Sequence, residues 1–286
     1  MTTCLRGWRF GIILAITWTL LFYLVAPMFI VVPVSLTDQR YLSMPQHALS
    51  LQHYRNIIGD NFWFSSIWKS FLVSCASTTI ATTFGTLAAI GCWRVASRSS
   101  ELVRALILLP LVVPTIVHAL GFYRTWIDLG LLDSYPGVIL AHIITSLPYV
   151  VITVSASLAN FDLRLEQAAR NLGASLSQTI RLVIVPCVLP GILSGALFAF
   201  VHAWDEIVVL LFITSRRVYL LPRAIWNGIN DNVDPTIAAI ASVMILVTLT
   251  GLLVERGIRA RALRRSAAAE IAASGSSVAG EMAQAR

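Results

Sequence analysis

Lysine is all but missing from this chain of 286 residues: Lys69 is the one instance, and the residues before it, Trp63 to Trp68, include no glycine. A GxxxxGK[ST] phosphate loop is therefore absent, and the chain cannot itself supply a P-loop ATPase. Charge of both signs is scarce, at 12% of residues. The four cysteines, Cys4, Cys75, Cys92 and Cys187, have no CxxC spacing and form no pair in an oxidising loop, so no disulfide framework is expected. His118 and His142 stand singly without HxxxH spacing, which gives no support to a metal site. Ser194 lies in GILSG rather than GxSxG, with no Asp or His at a spacing that would support a hydrolase.

What is abundant is apolar surface. Hydrophobic residues make up 57% of the chain and its mean hydropathy is +0.78, more than one soluble core could hide. Runs of about 20 apolar residues, the length that spans hydrocarbon at 1.5 Å rise per residue, occur over 10–34, 67–93, 104–127, 136–159, 187–213 and 236–255. Six spans within a 1–265 membrane domain are expected, with Pro186 and Pro190 breaking the start of the fifth and Gly251 near the end of the sixth. Arg6 and Arg9 precede an apolar run too long for a signal-peptide core, so the first run is expected to remain as a helix. Beyond Arg265 the 266–286 tail is Ala, Ser and Gly with little periodicity and reads as flexible.

The arginines set the orientation. With the N-terminus inside, the inner segments collect Arg94, Arg98, Arg104, Arg164, Arg170, Arg181 and the cluster Arg256, Arg259, Arg261, Arg264 and Arg265. The outer segments hold fewer basic residues and carry Asp38, Asp60, Asp128, Asp133, Asp231 and Asp234. Both termini and the 160–186 loop are thus assigned to the cytoplasm. The net charge of +7 is accounted for by contact with anionic membrane lipid, and no nucleic-acid partner is expected.

Within that inner loop lies the most specific pattern of the chain, EQAARNLGASLSQTIRLVIVPCVLP from Glu166 to Pro190. Ala168, Ala169 and Leu172 share one face of a short helix, and Gly173 stands where a helix C-cap belongs. A polar helix with a small apolar face, held between spans, suits the docking of a soluble partner; packing on its own chain is the alternative. The run EQAARNLGAS, followed by VIVP, resembles the EAA loop of binding-protein-dependent ABC importer permeases. HIITSLPYVVITVSASL, AFVHAWDEIVVLLF, LLPRAIWNGI and DPTIAAIAS extend the similarity, in particular to the spermidine/putrescine-type permeases.

The resemblance implies an all-α, six-span permease of a bacterial inner membrane. It would work with a second permease subunit, two cytoplasmic ATPase subunits that hold ATP and Mg, and an extracytoplasmic solute-binding protein. It places ATPase coupling on Glu166, Gln167, Ala168, Ala169 and Gly173. Aligned on Gly173, the family glutamate falls on Gln167, with Glu166 one place earlier, and the later Ile and Leu are Val183 and Val185. A family-type ion pair to the ATPase would become a neutral hydrogen bond unless Glu166 takes it over.

A second constellation, Trp204, Asp205 and Glu206, follows His202 in the outer part of the fifth run. Ionisable groups at such depth are costly and mark pathways. The resembling polyamine permeases carry an acidic pair here, where a carboxylate can pair with a substrate ammonium and an indole can add cation–π contact. Successive helical residues diverge by about 100°, which makes Asp205 the expected pore-facing member. The alternative is an interfacial helix end with Trp204 in the aromatic belt. Arg216 and Arg217 oppose the positive-inside trend and are expected to register the acidic lobes of the binding protein, or else to contact headgroups or Asp231 and Asp234. Small residues at Gly191, Gly195, Ala199 and Ala203, and at Ala81, Gly85 and Ala89, permit close helix approach, as static packing or as a sliding surface.

The function expected is inward transport of a polyamine or related cationic amine, with an amino-acid derivative or opine as the alternative substrate. An ion-coupled carrier would show inverted repeats, and an intramembrane enzyme a convergent polar triad; neither is seen.

Overall fold

The computed structural model describes residues 7–232 and 234–250. The arginine cluster after 255, the end of the sixth apolar run and the 266–286 tail lie outside the described residues.

The described residues are helical, with no strand. In chain order the helices are α1 (Gly7–Ser35), α2 (Gln52–Gly59), α3 (Asn61–Val95), α4 (Arg98–Val112), α5 (Thr115–Leu129), α6 (Tyr135–Ala159) and α7 (Leu163–Asn171). They continue with α8 (Leu176–Asp205), α9 (Val208–Ile213), α10 (Leu221–Asn227) and α11 (Thr236–Thr250). Four of them, α1, α3, α6 and α8, are long and apolar enough to cross a membrane, and α4 with α5 forms a bent pair that makes up to five.

The described residues divide into two compact units, the first from the residues up to 57 and from 232 onward, the second 58–231. In the first, α1 is apolar all round and exposes Phe22, Tyr23 and Leu24, which suits a helix whose surroundings are lipid. The stretch after it is held by polar links: the Ser35 and Tyr54 hydroxyls lie 2.7 Å apart, and the Asp38 carboxylate accepts the Gln46 N–H at 3.1 Å.

In the second unit α6 is the central element. Its Val150, Val151, Val154 and Leu158 pack with Ala89 and Ile90 of α3 and Ile184, Val188 and Ala199 of α8. The small residues make these approaches possible. A Cβ on Gly85 would come within 2.8 Å of Val150, and one on Gly191 within 2.8 Å of the Thr153 carbonyl. Gly191, Gly195, Ala199 and Ala203 are all buried, so the stripe is packed within the chain rather than left open to a partner. A second cluster joins Val73, Trp126, Val138, Val209 and Ile213, with the Trp126 indole donating to the Gly137 carbonyl at 2.9 Å.

The apolar runs and the helices differ in three places, each for a backbone reason. The helix of the second run, α3, starts at Asn61, where the Asp60 side chain accepts the Phe62 N–H, rather than at 67. The 104–127 run is two helices meeting at 105°. Pro114 has no N–H for the Pro110 carbonyl, and it drives Val113 into an extended conformation, so α4 ends and α5 restarts in another direction. In the fifth run, Pro186 and Pro190 do not break the helix. A wide π-type turn over Ile180–Ile184 takes up the misfit and α8 runs through both prolines; the interruption falls instead at Glu206, which is extended (ψ 106°).

Candidate functional site

The EAA-like segment forms α7, begun by the Asp162 side chain, which accepts the Arg164 N–H at 2.9 Å. It ends where Gly173 adopts φ +87° and the Ala174 N–H reaches back to the Ala169 carbonyl at 3.1 Å. No residue of α7 is buried. Gln167 and Ala168 are exposed, Ala169 is half-buried, and Leu172 is 89% exposed, so an apolar patch stands on a polar helix. Ser175 and Gln178 then form a reciprocal capping box that starts α8 directly after the loop.

Glu166 stands apart from this face. Its carboxylate meets Arg94, in the last turn of α3, at 2.7 Å, and its side chain is only 13% exposed. The one carboxylate of the motif is thus occupied within the chain, and Gln167 is the polar group left facing outward beside Ala168. Sequence reasoning missed Arg94 because nothing along the chain pairs position 94 with 166; the contact exists only because the last turn of α3 lies beside the first turn of α7.

Asp205 and Glu206 are separated by the end of α8 rather than by a helical step. Asp205 is exposed, the last helical residue, whereas Glu206 caps the next helix, its Oε1 accepting the Val209 N–H at 3.0 Å. Trp204 is half-buried and stacks on Phe200, with ring centroids 5.8 Å apart.

One turn before this pair, His202 lines a cavity of about 270 Å³ at the break between α4 and α5, together with Pro110, His118, Thr145 and Tyr149. Its Nε2 is buried without a hydrogen-bond partner, and its ring lies 5.1 Å from that of Tyr149. The cavity was not foreseen, although the proline pair in LLPLVVPT was a usable signal for a broken helix. Among the described residues no group of three His, Cys, Asp or Glu side chains could hold a metal ion.

The Arg216–Arg217 loop is built on Asp133. That residue, in a left-handed conformation (φ 51°), accepts four consecutive N–H groups, those of Ser215 (2.8 Å), Arg216 (3.0 Å), Arg217 (2.9 Å) and Val218 (3.1 Å). Burial alone would raise the Asp133 pKa; the four N–H bonds together reverse this and hold it below the usual 3.8. Arg223 braces the other side of the loop by donating to the Thr214 carbonyl and, at 2.7 Å, to its hydroxyl. Both loop arginines are exposed.

Comparison with known proteins agrees with this architecture. Residues 81–262 match the family described as binding-protein-dependent transport system inner membrane component. The spermidine/putrescine transport system permease protein PotC of Haemophilus influenzae is 30% identical over 227 residues, 79% of this chain and 88% of that protein. The trehalose transport system permease protein SugB of Mycobacterium tuberculosis is 30% identical over 204 residues, 70% of this chain and 74% of its own length. Among solved structures, a bacterial ABC transporter that imports the acidic polysaccharide alginate superposes with a TM-score of 0.68 at 16% identity, covering 88% of this chain and 95% of the other.

Proposed function

Since the chain belongs to the family of binding-protein-dependent transport system inner membrane components, and is thereby a permease subunit of an ABC importer whose ATPase is a separate chain, we propose that it carries a polyamine or related cationic amine inward. The observation that carries the substrate class is the pair of carboxylates, Asp205 and Glu206, at the end of a 30-residue apolar helix. A sugar needs no such charge, and an ionised group in that setting is retained where it has a partner to meet.

The rest of the reading follows the same family logic. The six spans are α1, α3, the bent α4–α5 pair, α6, α8 and the run begun by α11, with both termini and α7 in the cytoplasm. Here α7 is the coupling helix: Gln167, Ala168, Ala169 and Leu172 seat it in a cleft of one of two ATPase subunits, which hold ATP and Mg, while Gly173 turns the chain away. Glu166 supports that helix through Arg94. On the opposite side Arg216 and Arg217 register the solute-binding protein, which releases substrate between this chain and a second permease subunit.

Reconstitution of the full complex in proteoliposomes tests the reading. Wild-type complex is expected to accumulate putrescine in an ATP-dependent manner. Asp205→Asn is expected to lower uptake about tenfold or more, the effect of losing a charge-assisted hydrogen bond. Leu172→Asp, at a residue 89% exposed, is expected to lose co-purification with the ATPase while the permease still inserts. Absence of polyamine uptake by the wild-type complex refutes the substrate class, and undiminished ATPase association of Leu172→Asp refutes the coupling assignment.

A further inference from the structure

We propose that the cavity at the break between α4 and α5 is a subsite for one ammonium group of a linear diamine or polyamine, whose next ammonium meets the Asp205–Glu206 pair. The inference rests on the amine reading above and adds residues that the acidic pair does not include.

An ammonium presents three N–H donors and accepts nothing, so its site must be a convergence of acceptors. The cavity offers that convergence without a carboxylate. The Pro110 carbonyl is left without its helical donor because Pro114, four residues on, has no N–H. His118 and His202 bring imidazole nitrogens, and the Nε2 of His202 is buried with no partner, a cost the chain bears unless something enters to meet it. Tyr149 contributes its hydroxyl and, beside His202 at 5.1 Å, an aromatic face for cation–π contact. The Thr145 hydroxyl donates back to Ala141 at 3.1 Å, which leaves its lone pairs to accept.

Two features select a cation over an anion. No lysine or arginine lines the cavity. The C-terminal end of α4, with its partial negative charge, points into the break, and the N-cap residue that precedes α5 is Pro114, which has no N–H.

The spacing to the acidic pair suits a short linear amine. His202 and Glu206 are four residues apart, the Glu206 N–H still bonding the His202 carbonyl at 3.1 Å, so the two subsites are offset by about 6 Å along the helix. That is comparable with the separation of neighbouring amines in a four-carbon diamine. A monoamine would occupy one subsite and leave the other wanting.

The test is the coupling ratio, substrate moved per ATP hydrolysed, in proteoliposomes holding the full complex with its binding protein and putrescine as the probe. Tyr149→Phe removes one oxygen and keeps the ring. It is expected to lower the ratio about tenfold, the effect of one hydrogen bond to a charged group. His202→Phe is expected to do the same, and His202→Asn, which keeps an acceptor, to recover part of the loss. A ratio equal to wild type in both Tyr149→Phe and His202→Phe overturns the subsite. So does a proportional fall of uptake and hydrolysis together, which would make these residues packing only. A wild-type complex that moves no amine overturns the substrate reading itself, and this result is distinguishable because it precedes any variant.

Discussion

Glu166 and Gln167 are neighbours in sequence with opposite commitments. The Glu166 carboxylate is tied to Arg94 at 2.7 Å in a half-buried pair, while Gln167 faces outward. Removing one member of such a pair strands the other, and one guanidinium nitrogen of Arg94 already lacks a partner. Glu166→Ala is therefore expected to destabilise the purified permease by about 1–3 kcal/mol, read as a lower thermal midpoint in detergent. Gln167→Glu is expected to leave that midpoint unchanged and to bind the ATPase at least as well, because it restores the family residue where nothing in the chain competes for it. Equal destabilisation by the two variants would mean that Gln167 too serves the permease internally.

The loop between α9 and α10 is held by one carboxylate on four successive N–H groups, so its order depends on the charge of Asp133. Because the pKa is lowered on folding, the stabilisation is fully present above the ordinary 3.8 and is lost only as pH falls through the lower folded value. Trypsin cleavage at Arg216 and Arg217 is expected to be slow at neutral pH and about tenfold or more faster in Asp133→Asn, which keeps one acceptor oxygen without the charge. Binding-protein stimulation of the ATPase is expected to show no step attributable to this loop between pH 7.5 and 5.

At the contact of α6 with α8, geometry decides in the same way. A Cβ at Gly191 meets the Thr153 carbonyl and Ser157, and backbone cannot rotate aside as a side chain can. Gly191→Ala is expected to cost about 1–3 kcal/mol by overpacking, measured by chemical denaturation in detergent. Gly11, with nothing within 4 Å, is the control expected to accept alanine without loss.

At the scale of the molecule, the proposed roles fall on separate places within 58–231. The α7 helix presents an exposed apolar patch with no buried residue, the Asp133 loop presents two exposed arginines, and the cavity lies at a helix break beside the acidic pair. The elements that join them, α3, α6 and α8, are close-packed through small residues, and such an interior transmits displacement rather than absorbing it.

The sequence by itself determined the class of the protein and the position of its most specific loop. Hydropathy does so because a membrane span is a local property, about 20 consecutive apolar residues, and the helix around Glu166–Gly173 because caps, periodicity and glycine act within a few residues. Composition likewise excluded an ATPase, since a phosphate loop is contiguous. Only the tertiary structure decided which polar groups are already engaged. Arg94 meeting Glu166, Asp133 gathering the 215–218 amides, and His202 of α8 facing Tyr149 of α6 beside the α4–α5 break are pairings between residues about 50 to 80 positions apart. No local rule encodes them, because each depends on how helices of given length and bend bring their ends together. The same holds for Asp205 and Glu206: two adjacent carboxylates read alike in the chain, and only the end of α8 between them, with α9 claiming one as its cap, makes them different.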